Sequence, residues 1–252
     1  MRGGGLGKMF DLKMLDDASR ICHQGNHDKL MNSNTSQAIT IKIDEINSVS
    51  ALVEVPANSA SCLVLAHGAG AGMTHPFLEA TAQGLTQRNI ASIRYQFPYM
   101  EKKSGRPDTP KVAHATVRAA VLEAAQLLPN HALFAGGKSF GGRMTSQAQA
   151  ILPLLGIRGL VFLGFPLHPP GKPSVERAAH LSDVQIPMLF LQGTRDEFAT
   201  LDLLKQVTGS LGERSTLKLF EGADHSFRAG RKSSIVMNEL LDSFADWMAR
   251  IR

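Results

Sequence analysis

Residues 131–141 read HALFAGGKSFG, and the fold of the chain turns on that stretch. HALFAGG (131–137) is a short apolar run, the pattern of a strand buried on both faces. It runs into Gly137-Lys138-Ser139-Phe140-Gly141, a match to G-x-S-x-G. The glycines have a physical reason. A strand that turns sharply into a helix holds its serine in a strained conformation, and side chains two residues to either side would clash. The hydroxyl then stands above the sheet, at a helix N-terminus that favours developing negative charge. Composition alone gives roughly 0.16 chance matches per chain, so the flanking elements must carry the reading. A buried strand precedes the motif and a helix begins at about Ser139.

Nearby glycines suggest two other motifs, and both fail. A phosphate loop would need glycine at 132, where the chain has Ala132. Gly68, Gly70 and Gly72 do not make a dinucleotide loop, because Met73 occupies the third glycine position. Nicotinamide and flavin cofactors are therefore set aside, and no cofactor is expected.

Outward from the motif, strands and helices alternate. AITIKI (38–43) and SALVEVP (50–56) alternate apolar and polar residues and read as two strands, with a turn at Asn47–Ser48. SCLVLAHG (61–68), IASIRYQ (90–96), GLVFLGF (159–165), PMLFLQG (187–193) and STLKLF (215–220) read as further strands. Helices are expected over about 74–89, 110–128, 200–209 and 233–250, and one begins at about 139. The pattern over 110–128 is the cleanest, with Ala113, Val117, Ala120, Val121, Ala124, Leu127 and Leu128 at helical spacing. Repeated strand–helix units imply an α/β fold: a mostly parallel, twisted sheet of about seven to eight strands with helices on both faces. Between the strands at 159–165 and 187–193 there is room only for a loop and one short helix, so no cap domain is expected. Residues 1–36 show no sustained apolar period and read as a disordered tail with one short helix near Phe10–Leu15, leaving 37–252 as the folded domain. Cys22, His23, His27 and Asp28 cluster in that tail, but nothing nearby would hold them as metal ligands, and no metal is expected.

In such sheets function gathers in the loops beyond the carboxyl ends of the strands. A serine nucleophile needs a base, an orienting acid and an oxyanion hole. Asp196 lies just past the strand 187–193, and His225 follows the strand 215–220, which gives the order Ser139, Asp196, His225. Glu197 and Asp224 are rival acids and His168 a rival base, each less well placed. His67-Gly68-Ala69-Gly70 follows the strand 61–66, and a glycine-rich turn there lets a backbone N–H reach the site. The Ala69 N–H, with Gly70 as the alternative, would form an oxyanion hole with the Phe140 N–H.

Composition narrows the function classes. The chain has 252 residues and a net charge of +5. Its 43% hydrophobic and 19% charged residues suit a globular domain rather than a disordered chain or a coiled coil. No apolar run is long enough to cross a membrane. MRGGGLGKMFDLK lacks the apolar core of a secretory signal. Cys22 and Cys62 make no disulfide framework, which suits a reducing cytoplasm. The segment 88–118 holds seven basic residues against Glu101 and Asp108, and so carries the whole net charge. No nucleic-acid motif accompanies it. The first reading of the segment is a solvated loop and helix face. The alternative is that Lys102, Lys103 and Arg106, in the loop at 99–110 after a strand end, border the site with Arg143 or Arg195 and attract an anionic small-molecule ester. Oligomeric state is not legible.

HGAGAGMTHPF, RYQFPYM, GGKSFGGRM, FPLHPPGKP, QGTRD and GADHSF together resemble the α/β-hydrolase superfamily. The resemblance spans about residues 38–252. It is nearest to the small cap-less, dienelactone-hydrolase-like branch, and within that to the testis-expressed-protein-30-like and NSL-complex-subunit-3-like group. It implies an α/β-hydrolase fold with Ser139, Asp196 and His225 as a catalytic triad acting on esters or thioesters. Dienelactone hydrolases proper use a cysteine nucleophile where this chain has Ser139. Some members of the group act in complexes without established catalysis, so a non-catalytic interaction module is the alternative function.

Overall fold

Six strands, each buried over most of its length, form the centre of the molecule because their side chains face helices on both sides. The structure is a computed structural model and describes residues 36–251. The expected tail, its short helix and the Cys22–Asp28 cluster lie outside the described residues. The strands are β1 (Gln37–Lys42), β2 (Ser48–Glu54), β3 (Ser61–Ala66), β4 (Ala91–Tyr95), β5 (Ala132–Lys138), β6 (Ile157–Leu163), β7 (Met188–Gly193) and β8 (Ser215–Phe220). They form one sheet in the order β1-β2-β4-β3-β5-β6-β7-β8. β2 runs antiparallel to both its neighbours, and every pair from β4 to β8 is parallel.

The helices are α1 (Pro76–Thr86), α2 (Pro98–Glu101), α3 (Pro110–Leu127), α4 (Phe140–Ile151), α5 (Leu201–Ser210) and α6 (Ser233–Arg250). α1 and α6 cover one face, where Leu78 and Leu85 meet Val236, Leu240, Phe244 and Trp247 over Leu63, Leu65 and Phe134. α3, α4 and α5 cover the other, burying Ala113, Val117, Val121, Met144, Ala148 and Leu204 over Val64, Ile93, Phe162 and Phe190. Each of the Val, Leu, Ile, Phe and Met side chains among these contributes about 1.5–3 kcal/mol when taken fully out of water, and the alanines less. The burial alternates along each strand, one side chain to each layer, and continuous apolar runs are the sequence trace of that.

Two expected details differ. The β1–β2 turn closes at Asp44–Asn47, not Asn47–Ser48. The Asp44 carboxylate accepts from the Ile46 and Asn47 amides at 2.9 and 2.7 Å, which fixes the turn and starts β2 at Ser48. The charged loop after β4 opens with a single helical turn, α2, because Pro98 suits a first helical position and leaves Phe97 as N-cap. Between β6 and β7 the one short helix is 3-10, at Glu176–Asp183. Among the described residues no cap domain covers the sheet.

Candidate active site

The chain turns from β5 into α4 through Ser139, which sits at φ 49° and ψ −113°. A left-handed backbone is strained for serine and persists only when the surroundings enforce it. Here they do. A Cβ on Gly137 would lie 2.4 Å from the Ala66 carbonyl oxygen, and one on Gly141 would lie 2.5 Å from that of His67. Both glycines are demanded by backbone that passes too close for any side chain. The hydroxyl is left at the end of the sheet, where the loops after β3, β5, β7 and β8 converge.

The loop after β7 supplies Asp196, whose side chain is fully buried. Its Oδ2 accepts from His225 Nδ1 at 2.7 Å and from Gln192 Nε2 at 2.6 Å, and its Oδ1 accepts from the Phe198 amide at 2.8 Å. Three donors suit an ionised carboxylate. Because Nδ1 donates, Nε2 of His225 is the free ring nitrogen when the imidazole is neutral. The ring lies against Phe198, with centroids 4.4 Å apart. His225 and Ser139 line one cleft of about 250 Å³ with Gly68, His75, Phe77 and Lys138. Among the described residues Ser139 Oγ makes no hydrogen bond, so the serine–histidine contact is not closed as the histidine–aspartate one is.

The rival residues have other work. Asp224 Oδ1 accepts from the Ser226 and Arg228 amides, both at 2.8 Å, and so builds the turn that presents His225. Glu197 is exposed. His168 Nε2 accepts from the Thr200 amide at 2.9 Å, and its Nδ1 donates to the Pro169 carbonyl, so it pins two loops together.

The loop after β3 is held by His67. Its Nδ1 donates to the Gly68 carbonyl at 2.8 Å, and its Nε2 accepts from the Phe97 amide at 3.0 Å. Burial pushes this imidazole down to about 4, so it is neutral. That anchor sets Ala69 beside Ser139 and Phe140, and the three line a second cleft of about 380 Å³. The Phe140 amide, first in α4, lacks an intrahelical acceptor. The Ala69 amide has no backbone acceptor among the described residues.

Sequence reasoning missed several residues at or behind the site. Lys138 is one: its Nζ is buried with no hydrogen-bond partner, 5.8 Å from the centre of the Phe227 ring. Gln192, the second donor to Asp196, is another. Arg177 is a third; it lines the larger cleft with Arg143, Asp108 and Pro166. Only the residue after a recognised strand end could have been singled out, and Gln192 lies inside β7. Lys102, Lys103, Arg106 and Arg195 are exposed and line neither cleft. The loop at 99–110 does reach the site, but through Pro107 and Asp108. Three other cations of the basic segment are engaged in packing. Arg94 pairs with buried Glu54 at 2.5 Å, Arg88 with Asp242 at 2.6 Å, and Arg118 donates to the Ala148 and Leu152 carbonyls. Among the described residues no group of three or more His, Cys, Asp or Glu is placed to hold a metal ion. No helix among them is long and apolar enough to cross a membrane.

Solved structures with this architecture include a lidless α/β serine hydrolase from Xanthomonas campestris, at 21% identity and a TM-score of 0.67, covering 85% of this chain and 96% of that one. A dienelactone hydrolase from Anabaena variabilis superposes at a TM-score of 0.69 with 16% identity, covering 86% and 98%. An esterase from Pyrococcus furiosus does so at 0.66 with 12% identity, covering 86% and 93%. At these identities the likeness shows the fold. The sequence itself matches the family described as alpha/beta hydrolase domain over residues 59–251. With most of its length inside that match, the chain belongs to the alpha/beta hydrolase domain family.

Proposed function

We propose that the protein is a serine hydrolase of carboxylic esters or thioesters. The observation that carries this is the 2.7 Å bond from His225 Nδ1 to a buried, threefold-bonded Asp196, in a cleft shared with a strained Ser139. Ser139 Oγ attacks the acyl carbonyl while its proton passes to His225 Nε2. Asp196 holds the ring and offsets the charge of the imidazolium. The Ala69 and Phe140 amides donate to the oxyanion. The carbonyl reforms as the bond to the leaving oxygen or sulfur breaks, and His225 returns the proton to that atom. Water, deprotonated by His225, then releases the acyl group and restores Ser139. The step needs no metal or organic cofactor. Serine–histidine bonds commonly tighten only once substrate is bound, which accommodates the open contact here. The quoted motifs favour placing the chain beside the testis-expressed-protein-30-like and NSL-complex-subunit-3-like proteins.

A fluorophosphonate probe tests the reading. The wild-type protein is expected to label at Ser139, and Ser139→Ala to lose both labelling and esterase turnover. Asp196→Asn should lower kcat by orders of magnitude, because it misorients the base without deleting the nucleophile. If folded wild-type protein neither labels nor turns over any activated ester, the chain acts instead as a non-catalytic interaction module.

A further inference from the structure

The larger cleft beside Ser139 contains two guanidinium groups and a single carboxylate, Asp108, which pairs with neither. Arg143 stands on the first turn of α4, four residues after the nucleophile, and Arg177 on the 3-10 helix between β6 and β7. Both line the cleft with Ser139, Phe140 and Ala69. Neither has an ion-pair partner among the described residues, and Arg143 Nε is buried without a hydrogen bond. The one acid in the lining, Asp108, accepts from the Tyr99 amide at 3.0 Å. Burial lowers the Arg143 pKa first, and the nearby charge of Arg177 lowers it further.

Two imidazoles lie close enough to feel the Arg143 charge. His114, on α3, has its Nε2 against Gln147 Oε1 at 3.2 Å, and His180, on the 3-10 helix, has its Nε2 against Ser146 Oγ at 2.8 Å. Burial is the first cause that lowers both imidazoles, His180 to about 4, and the Arg143 charge adds to it in each. Asp183 acts on His180 from the far end of that helix. Two like charges held together in a half-buried cleft repel one another. An oxyanion between them would remove that repulsion and satisfy the donors that now lack acceptors.

The chemistry at Ser139 says which part of a substrate would carry that oxyanion. His225 must hand its proton to the leaving atom, so the leaving group belongs in the cleft that His225 lines. That cleft is the smaller one, and His225 is absent from the lining of the other. The acyl group is thereby directed toward Arg143 and Arg177. We infer that the protein selects acyl groups ending in an oxyanion, a carboxylate or a phosphate, bound by Arg143 and Arg177 beside the nucleophile. The inference rests on reading Ser139 and His225 as nucleophile and base.

The test compares nitrophenyl esters of one leaving group: the hemisuccinate and hemiglutarate, which carry a terminal carboxylate, and the neutral butyrate and valerate. A third arm places the carboxylate on the leaving group, as the acetyl ester of hydroxybenzoate, and a fourth uses a phosphate-terminated acyl chain. The wild type is expected to prefer an anionic acyl ester to its neutral counterpart by at least about tenfold in kcat/KM. Arg177→Gln and Arg143→Gln should each remove most of that preference, chiefly through KM. The carboxylate and phosphate arms decide between the two oxyanions. A preference unchanged in both variants, or one that follows the leaving group instead, overturns the inference. Binding separates this failure from failure of catalysis. Folded Ser139→Ala protein should gain thermal stability from millimolar glutarate or inorganic phosphate, and the same protein with Arg177→Gln should not. That result with no turnover in the wild type would keep the subsite and sink the hydrolase reading. Turnover without either preference or anion binding would do the reverse.

Discussion

Lys138 shows how much a single residue of a recognised motif can conceal. In sequence it is the variable position of G-x-S-x-G; in the fold its ammonium is buried with no acceptor. The space around it is set by residues far away in the chain. A Cβ on Gly164 would lie 3.0 Å from Lys138 Nζ and 3.3 Å from both Asp196 Oδ2 and His225 Nδ1. Burial pulls the lysine down to about 8, against the pull of Asp196 and Asp224. Its folded pKa is therefore below the unfolded value of about 10.4. As pH falls from there toward 8, the unfolded chain takes up the proton first, so stability is lost across that window and stays lost at pH 7. The loss is on the order of 2–3 kcal/mol. Lys138→Met keeps the length of the side chain and drops the charge. It is expected to melt several degrees higher than the wild type at pH 7, with the advantage shrinking toward pH 10. Equal melting temperatures across that range would mean that the ammonium is solvated. None of this was legible in the sequence, because burial of one side chain depends on Gly164 and Phe227, which no local pattern links to residue 138.

At the scale of elements, periodicity located what the core buries, while charge left two readings of the basic loop open. The helix expected over 110–128 is α3, and the one over 233–250 is α6, because each presents one continuous apolar stripe to a sheet. The strand ends that carry Ser139 and Asp196 were legible because β5 and β7 are buried along nearly their whole length and read as apolar runs, whereas β8, which leads to His225, is a partly buried edge strand read from its alternation. The β1–β2 turn was displaced because one side chain, Asp44, decides it. The basic segment could not be apportioned from sequence. Arg88, Arg94 and Arg118 are engaged in packing, while Lys102, Lys103 and Arg106 face water away from the clefts. Water and salt weaken the pull of exposed charges on a ligand they do not touch. Replacing Lys102, Lys103 and Arg106 together by Gln should therefore change KM for an anionic ester less than twofold. A rise in KM matching that of Arg177→Gln would return the loop to the site.

At the scale of the whole molecule, strand order makes the site, and no cap among the described residues covers it. β3 pairs with β4 on one side and β5 on the other, so the chain after β3 and the chain after β5 leave the sheet toward opposite layers. The crevice between them is the natural place for a ligand in an open α/β sheet. Gly68 and Ala69 form one lip and Lys138 and Ser139 the other. Proteins of this fold that grip long acyl chains bury them under inserted segments, and the link from β6 to β7 here has only a loop and the 3-10 helix at Glu176–Asp183. The two clefts, about 250 and 380 Å³, accommodate small groups on either side of the serine. Among the described residues no apolar lid has to swing aside at a lipid surface, so the rate should rise smoothly with the concentration of dissolved ester. Measured across the solubility limit of a short-chain ester, turnover is expected to show no jump when droplets form. Nitrophenyl esters longer than about eight carbons should lose kcat/KM, because methylenes beyond the clefts return to water and gain none of the roughly 0.8 kcal/mol that each buried one provides. A sharp gain on emulsified substrate, or rising efficiency with chain length, would require a moving segment that the loop between β6 and β7 is too short to supply.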